Sequence, residues 1–365
     1  MNSAGIRWRA SGAVLAIAIT GGCGAGSLQQ APSGAPVSPA TLLRGGDAAL
    51  TAAHDVLRAA HPDRGRSWMR RDKKRGTLLY VGDWNTNDVF VYDFPSGTQV
   101  GQLTGFAEPY GTCVDAKGDV YIANFGNGTL VEYAPGAAKP LKTFSPGGEP
   151  IGCSVDAAGD VSATSFSPNN VTVYPLGNPD NGTTYSNSYC EYGWTMGYDD
   201  KGNLIGVSEY NSIEVCALLA GTKAITVLTE SGIVIDFPGG TSWDGKYIAL
   251  GDQEAGGTFK TGVWPSTLSG TTITAATKEV VFTDNCYSDY TDVVNPFFLS
   301  KSFTPVTPGT HKRAKFMIGA NLWCADAGAP GVSIWRYPSG KLYKTVSLGS
   351  GGPTSPYGVA VTTGK

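Results

Sequence analysis

The chain has 365 residues, of which 16% are charged, and a formal net charge of −3. That length suits one large all-β domain, and its 50 glycines and 22 prolines supply the tight turns of a meandering sheet. So little charge excludes the broad basic surface that nucleic-acid binding requires.

Arg7 and Arg9 form a positive start, and the apolar run Ala13–Ile19 follows. The run is too short to span a bilayer as a helix, so residues 1–22 read as a signal peptide. It ends at Thr20-Gly-Gly-Cys23, which resembles a bacterial lipobox, although Thr20 stands where that motif usually has Leu. The resemblance implies that Cys23 is lipidated and becomes the new N-terminus. The chain is then exported and held at the cell envelope, touching a membrane only through its anchor, with plain secretion as the alternative. Residues 23–75 read as a tether, rich in Gly, Ala, Ser and Pro up to residue 46. A short helix is predicted over 47–61, capped by Asp47 and stopped by Pro62. The basic run from Arg70 to Arg75 reads as a solvated connector, or less often as a contact for an acidic surface.

From residue 76 to the end, strands dominate. Pro109-Tyr-Gly-Thr-Cys-Val-Asp115 precedes Gly118-Asp-Val-Tyr-Ile-Ala-Asn124, and Pro150-Ile-Gly-Cys-Ser-Val-Asp156 precedes a second copy of the same kind. The register points Asp115, Asp156, Asp199 and Asp244 stand 41, 43 and 45 residues apart. A period in that range with four strands per unit predicts a β-propeller. Third strands end in a column of Tyr92, Tyr133, Tyr174, Cys216, Trp264 and Trp335, expected to fill the wedges between neighbouring blades. The first unit, from Thr77, lacks an inner strand, whereas Pro356–Val361 is an inner strand with almost nothing after it. The last strand of the chain is therefore expected to complete the first blade, giving six four-stranded antiparallel blades with no open edge. Residues Ser300–Arg313, with Pro305, Pro308 and Gly309, read as a protruding loop.

The stretch Pro109–Asn124 closely resembles an NHL repeat. The resemblance implies a six-bladed propeller with a central channel over residues 76–365, and no single activity. Members bind proteins or RNA, and related propellers include lactonases and lyases.

Loops entering the inner strands and loops between second and third strands share one face, where acids and rings gather. The candidate binding residues there are Asp83, Trp84, Glu108, Tyr110, Asn124, Glu149, Glu209, Tyr210, Asp252, Asp292 and Tyr357. Ordinary turn chemistry explains such residues; a binding rim of stacking rings and carboxylates is the functional alternative, suited to a small molecule, a glycan or a peptide. No cofactor is required. Calcium is the one ion the acids suit, if Asp83, Glu108, Asn124, Glu149, Glu209 and Asp252 converge. The three histidines, His54, His61 and His311, lie off every inner strand, which excludes a histidine-based triad at the channel.

With Cys23 set aside, six cysteines remain, and export makes disulfides plausible. Cys286 and Cys324 fall on one face of the sixth blade, and Cys113 and Cys153 start adjacent inner strands; both pairs are candidates. Cys190 and Cys216 are placed towards opposite faces, with Cys216 read as a small buried thiol in the aromatic column. The sequence therefore reads as an envelope binding or scaffolding propeller. The alternatives are a lactonase, lyase or hydrolase using channel carboxylates, and a protein-interaction module.

Overall fold

A computed structural model describes residues 65–70, 76–190, 195–209, 212–257, 260–283, 296–310, 312–324, 329–349 and 351–363. The expected lipidation site Cys23, the tether and the helix over 47–61 lie outside these residues. The described chain forms six antiparallel sheets arranged as propeller blades, each built outward from an inner strand.

The closure expected from the sequence is present. Pro356–Thr363 pairs with Thr77–Asp83, from Thr77↔Thr363 to Asp83↔Pro356, as the inner strand of the first blade. Asp88–Asp93 and Thr98–Leu103 follow outward, and the short strand Trp68–Met69 adds a fifth. Inner strands of the next blades are Pro109–Val114, Pro150–Val155, Gly197–Tyr198, Pro238–Trp243 and Phe297–Leu299. Each contacts the next around the ring, and the last returns to Pro356–Thr363. The fifth blade is the most elaborate: Val280–Val281 pairs with its third strand, and Thr229–Ser231 runs parallel along its outer edge.

Strands buried on both faces explain the nearly continuous apolar runs. In Thr77–Asp83, Leu79 and Val81 join the core shared with the sixth blade, while Leu78 and Tyr80 join the core shared with the second. Six such wedge-shaped cores separate neighbouring blades around the ring. The aromatic column does pack there: Tyr92, Tyr133, Tyr174 and Trp335 are all at most 4% exposed.

The repeating Asp also has a local cause. Asp115 Oδ1 accepts the backbone N–H of Lys117 at 2.9 Å and of Asp119 at 2.8 Å, closing the turn between first and second strands. Asp156 and Asp199 repeat the same pair of bonds, and Asp244 does so with Lys246 and Tyr247. These turns define the lower face, where Thr77 starts and Thr363 ends the ring; inner strands begin at the upper face.

Two expectations are corrected. Cys190 and Cys216 form a disulfide with a Cα–Cα distance of 6.1 Å, so Cys216 is no free thiol. The connection after the third blade does not run straight to the upper face. It lies along the fourth blade, where the Asn187 side-chain amide donates to Ile225 O at 2.7 Å, and this delivers Cys190 to the third strand. The segment Ser300–Arg313 does not protrude either. Val306 N donates to Phe298 O at 3.0 Å, and Val306 and Thr307 are buried. They reach under the axis beside Thr112, Ser154 and Ser242 of three other blades. Apolar side chains in this insert find their burial by closing the lower end of the channel.

The expected Cys113–Cys153 bond is present, with Cα atoms 5.6 Å apart, and joins the inner strands of the second and third blades. Cys286 lies outside the described residues, so the Cys286–Cys324 expectation does too. Two disulfides fit an oxidising, exported environment. No helix among the described residues is long and apolar enough to cross a membrane.

Candidate functional site

The upper mouth of the channel is built from two recurring register positions. One is the residue immediately after the second strand: Trp84, Phe125 and Phe166. The other is the central residue of the Pro-x-Gly motif: Tyr110, Ile151 and Tyr357. These six and Phe237 form a single cluster in which every side chain is at most 6% exposed. Tyr110 stacks on Tyr357 at 5.1 Å between ring centroids, and the Trp84 ring lies 5.2 Å from Phe125. The structure thus brings together three of the expected ring residues, Trp84, Tyr110 and Tyr357, as a plug over the axis. Phe125, Ile151, Phe166 and Phe237 complete it and are absent from the expected set. Their shared register with Trp84 and Tyr110 was the available signal.

The glycine of the same motif explains how the plug can close. A Cβ on Gly358 would strike the carbonyl oxygen of Tyr110, and one on Gly152 would strike the Thr195 side chain. Inner strands crowd at the axis, and only a residue without a side chain lets their backbones approach so closely.

Acids of the upper face hold the loops that lead into the inner strands. Asp83 Oδ1 accepts Thr86 N at 2.9 Å, and its Oδ2 accepts Ser355 N at 2.9 Å together with Thr354 N. Asp252 accepts Asp236 N and Phe237 N at 3.1 Å each, and Glu254 N at 2.9 Å. Asn124 Oδ1 accepts Ala107 N at 2.7 Å, and the Ser165 hydroxyl donates to Gly147 O at 2.9 Å. In each case the last residue of the second strand pins the loop entering its own blade. Asp83 and Asp252 are fully buried, and burial pushes both carboxyls above the usual range against the downward pull of these N–H groups.

Glu108 is also buried, with its backbone at φ +55° and its N–H on Asn87 Oδ1 at 2.7 Å. Glu149 and Glu209 are half-buried at the rim. Tyr210 and Asp292 lie outside the described residues. Among the described residues, no three His, Cys, Asp or Glu side chains gather as metal ligands would. The six oxygen donors considered for calcium are distributed around the ring, with Asp83, Asn124 and Asp252 each serving its own blade.

One further acid stands out. Glu279 lies beside Asp252 in the fifth blade, and its carboxyl is pushed up to about 8 by burial first, then by the charge of Asp252 and their shared hydrogen bond. At neutral pH it holds a proton and donates it towards Asp252.

No protein-family model matches the chain. No curated protein matches it either. Among solved structures, a nidogen/laminin complex contains a chain that is 13% identical, covered over its full length by 80% of this chain, with a TM-score of 0.53. A functionally unknown protein from Desulfotomaculum acetoxidans is 11% identical with the same coverage and a TM-score of 0.50. At such low identity these likenesses establish the architecture alone: the chain carries a six-bladed β-propeller.

Proposed function

We propose that this protein is an exported, lipid-anchored propeller that binds or scaffolds at the cell envelope, meeting its partner across the rim of the upper face. The observation that carries this reading is the plug. Seven buried apolar side chains fill the mouth where a small-molecule site would open, and Glu149 and Glu209 lie half-buried on the same face. A filled mouth favours an extended partner, such as a peptide, a glycan chain or a protein surface, over a small substrate that needs enclosure. The NHL-like motif supports the same reading, and Cys23 supplies the anchor.

Two measurements test it. Metabolic labelling with a radiolabelled fatty acid should tag the wild-type chain and not Cys23→Ser; an unlabelled wild type refutes the anchor. Peptide and glycan arrays should yield ligands whose binding is lost in Glu149→Lys or Glu209→Lys at unchanged melting temperature. Binding that survives both changes, or turnover of a ligand instead of retention, refutes the rim as a binding site.

A further inference from the structure

The lower face holds a second feature, unrelated to the upper rim. Lys301, Lys312, Arg313 and Lys315 line one open groove together with Ser300 and Ser302. All four cations are exposed, and among the described residues none pairs with a carboxylate. Their spacing is fixed by the backbone: Lys315 N donates to Leu299 O at 2.8 Å, Ala314 N to Asp244 O at 2.8 Å, and Ser300 N to Thr304 O at 2.9 Å. A chain with net charge −3 thus holds four unneutralised cations in a fixed cluster, at a cost in mutual repulsion.

An aromatic element adjoins the groove. Tyr343, 44% exposed, packs on Phe316 at 5.1 Å, and the Arg336 guanidinium lies 4.6 Å from its ring centre. Phe303 of the groove loop stacks on Phe316 at 4.6 Å, which joins the loop and Tyr343 in one patch. An exposed tyrosine among cations adds little for a dissolved anion. At a lipid interface it places its ring at headgroup depth while the cations meet phosphates.

We propose that this edge of the sixth blade docks on an anionic phospholipid surface. The inference deepens the anchored reading above: a propeller tethered to a membrane meets that surface at high effective concentration. The ring begins at Thr77 and ends at Thr363 on this same face.

The test is vesicle flotation of the full chain carrying Cys23→Ser, on phosphatidylglycerol-rich vesicles and on pure phosphatidylcholine. Any affinity of the apolar run Ala13–Ile19 appears on both lipids and is subtracted. Binding should be selective for the anionic lipid and weaken with salt. Lys312→Glu with Arg313→Glu should lower partitioning about thirtyfold or more, the loss of two cations at an anionic surface. Lys301→Gln with Lys315→Gln, which cannot introduce repulsion, should lower it by a similar order, and Lys223→Glu under the fourth blade should leave it unchanged. Equal partitioning of wild type and both double variants overturns the proposal. So does calorimetric binding of inorganic phosphate at the groove without lipid selectivity, which would assign it to a soluble anion. Fatty-acid labelling at Cys23 is read separately, so failure of the anchor and failure of the docking surface are distinguishable.

Discussion

Gly358→Ala tests the geometry on which the ring depends. Gly358 has no positive φ, so alanine can adopt its backbone conformation, and the change isolates close approach from conformational strain. The new Cβ would meet Tyr110 O, a main-chain atom, and would lie 3.0 Å from Thr112 Cγ2. Neither inner strand can yield alone, because each is hydrogen-bonded into its own blade on the other side. Overpacking of this kind costs about 1–3 kcal/mol. Parting the strands also loosens the Tyr110–Tyr357 stack, at 5.1 Å, whose pairing is worth about 0.5–1.5 kcal/mol. The lower entropy of the unfolded chain returns about 0.4–1 kcal/mol. The midpoints of these ranges leave a loss of about 2 kcal/mol, read as a lower urea midpoint at unchanged slope, with altered fluorescence from Trp84 in the plug. Thr363→Ala, at the half-buried end of the same strand, serves as the mild comparison. A loss below about 1 kcal/mol for Gly358→Ala would mean that the inner strands are not in hard contact, and the steric account of the Pro-x-Gly motif would fail.

Replacing Cys113 and Cys153 together by Ala should cost about 2–4 kcal/mol, since their bond closes a span of 40 residues between two blades, while nonreducing peptide mapping should recover Cys113–Cys153 and Cys190–Cys216 as separate pairs. Tyr337→Phe removes the buried bond from the Tyr337 hydroxyl to Asp244 Oδ2 at 2.6 Å, which ties the sixth blade to the fifth; the loss should be about 1.5–3 kcal/mol, and one under 0.5 would show that Asp244 finds another donor. Glu279 holds a proton in the folded state up to about pH 8 that the unfolded chain releases near its ordinary value of 4.5, so its contribution to stability falls as pH rises through that window and is level above it. Glu279→Gln keeps a donor for Asp252 and removes this dependence; its melting temperature should exceed that of the wild type at pH 8–9 and approach it at pH 5, and parallel pH profiles would refute the buried proton.

What the sequence discloses and what it hides divide along one line. Features that repeat are legible, because each blade solves the same local problem with the same residue type. Asp115, Asp156, Asp199 and Asp244 close equivalent turns, and Tyr92, Tyr133 and Tyr174 fill equivalent wedges. The closure strand is legible for the same reason, as an inner-strand motif with no blade of its own. Features set by the path of one irregular connection are not. Cys190 reaches Cys216 only because residues 186–190 descend beside the fourth blade, and no spacing records that descent. Likewise Pro305 and Pro308 mark a loop correctly, but the burial of Val306 depends on an axis that exists only after the ring has closed. The plug is intermediate: its residues stand in register, yet their convergence belongs to the ring and not to any one strand.

The acidity of the upper face has a structural origin that bears on where binding can reside. Each loop dropping from an outer strand to the next inner strand carries backbone N–H groups into a region already walled by neighbouring blades. Unpaired there, each would cost about 1–3 kcal/mol. A carboxylate, amide or hydroxyl ending the second strand lies within reach of that loop, and Asp83, Asn124, Ser165 and Asp252 each take this role. The position demands hydrogen-bonding oxygen and gains nothing from charge as such, since burial raises the carboxyls of Asp83 and Asp252. Asp and Asn therefore recur at the mouth whether or not a ligand ever arrives. Recognition has to draw on side chains other than these loop-pinning ones: half-buried Glu149 and Glu209 above, and below, the cations of the sixth blade, which pair with no carboxylate among the described residues.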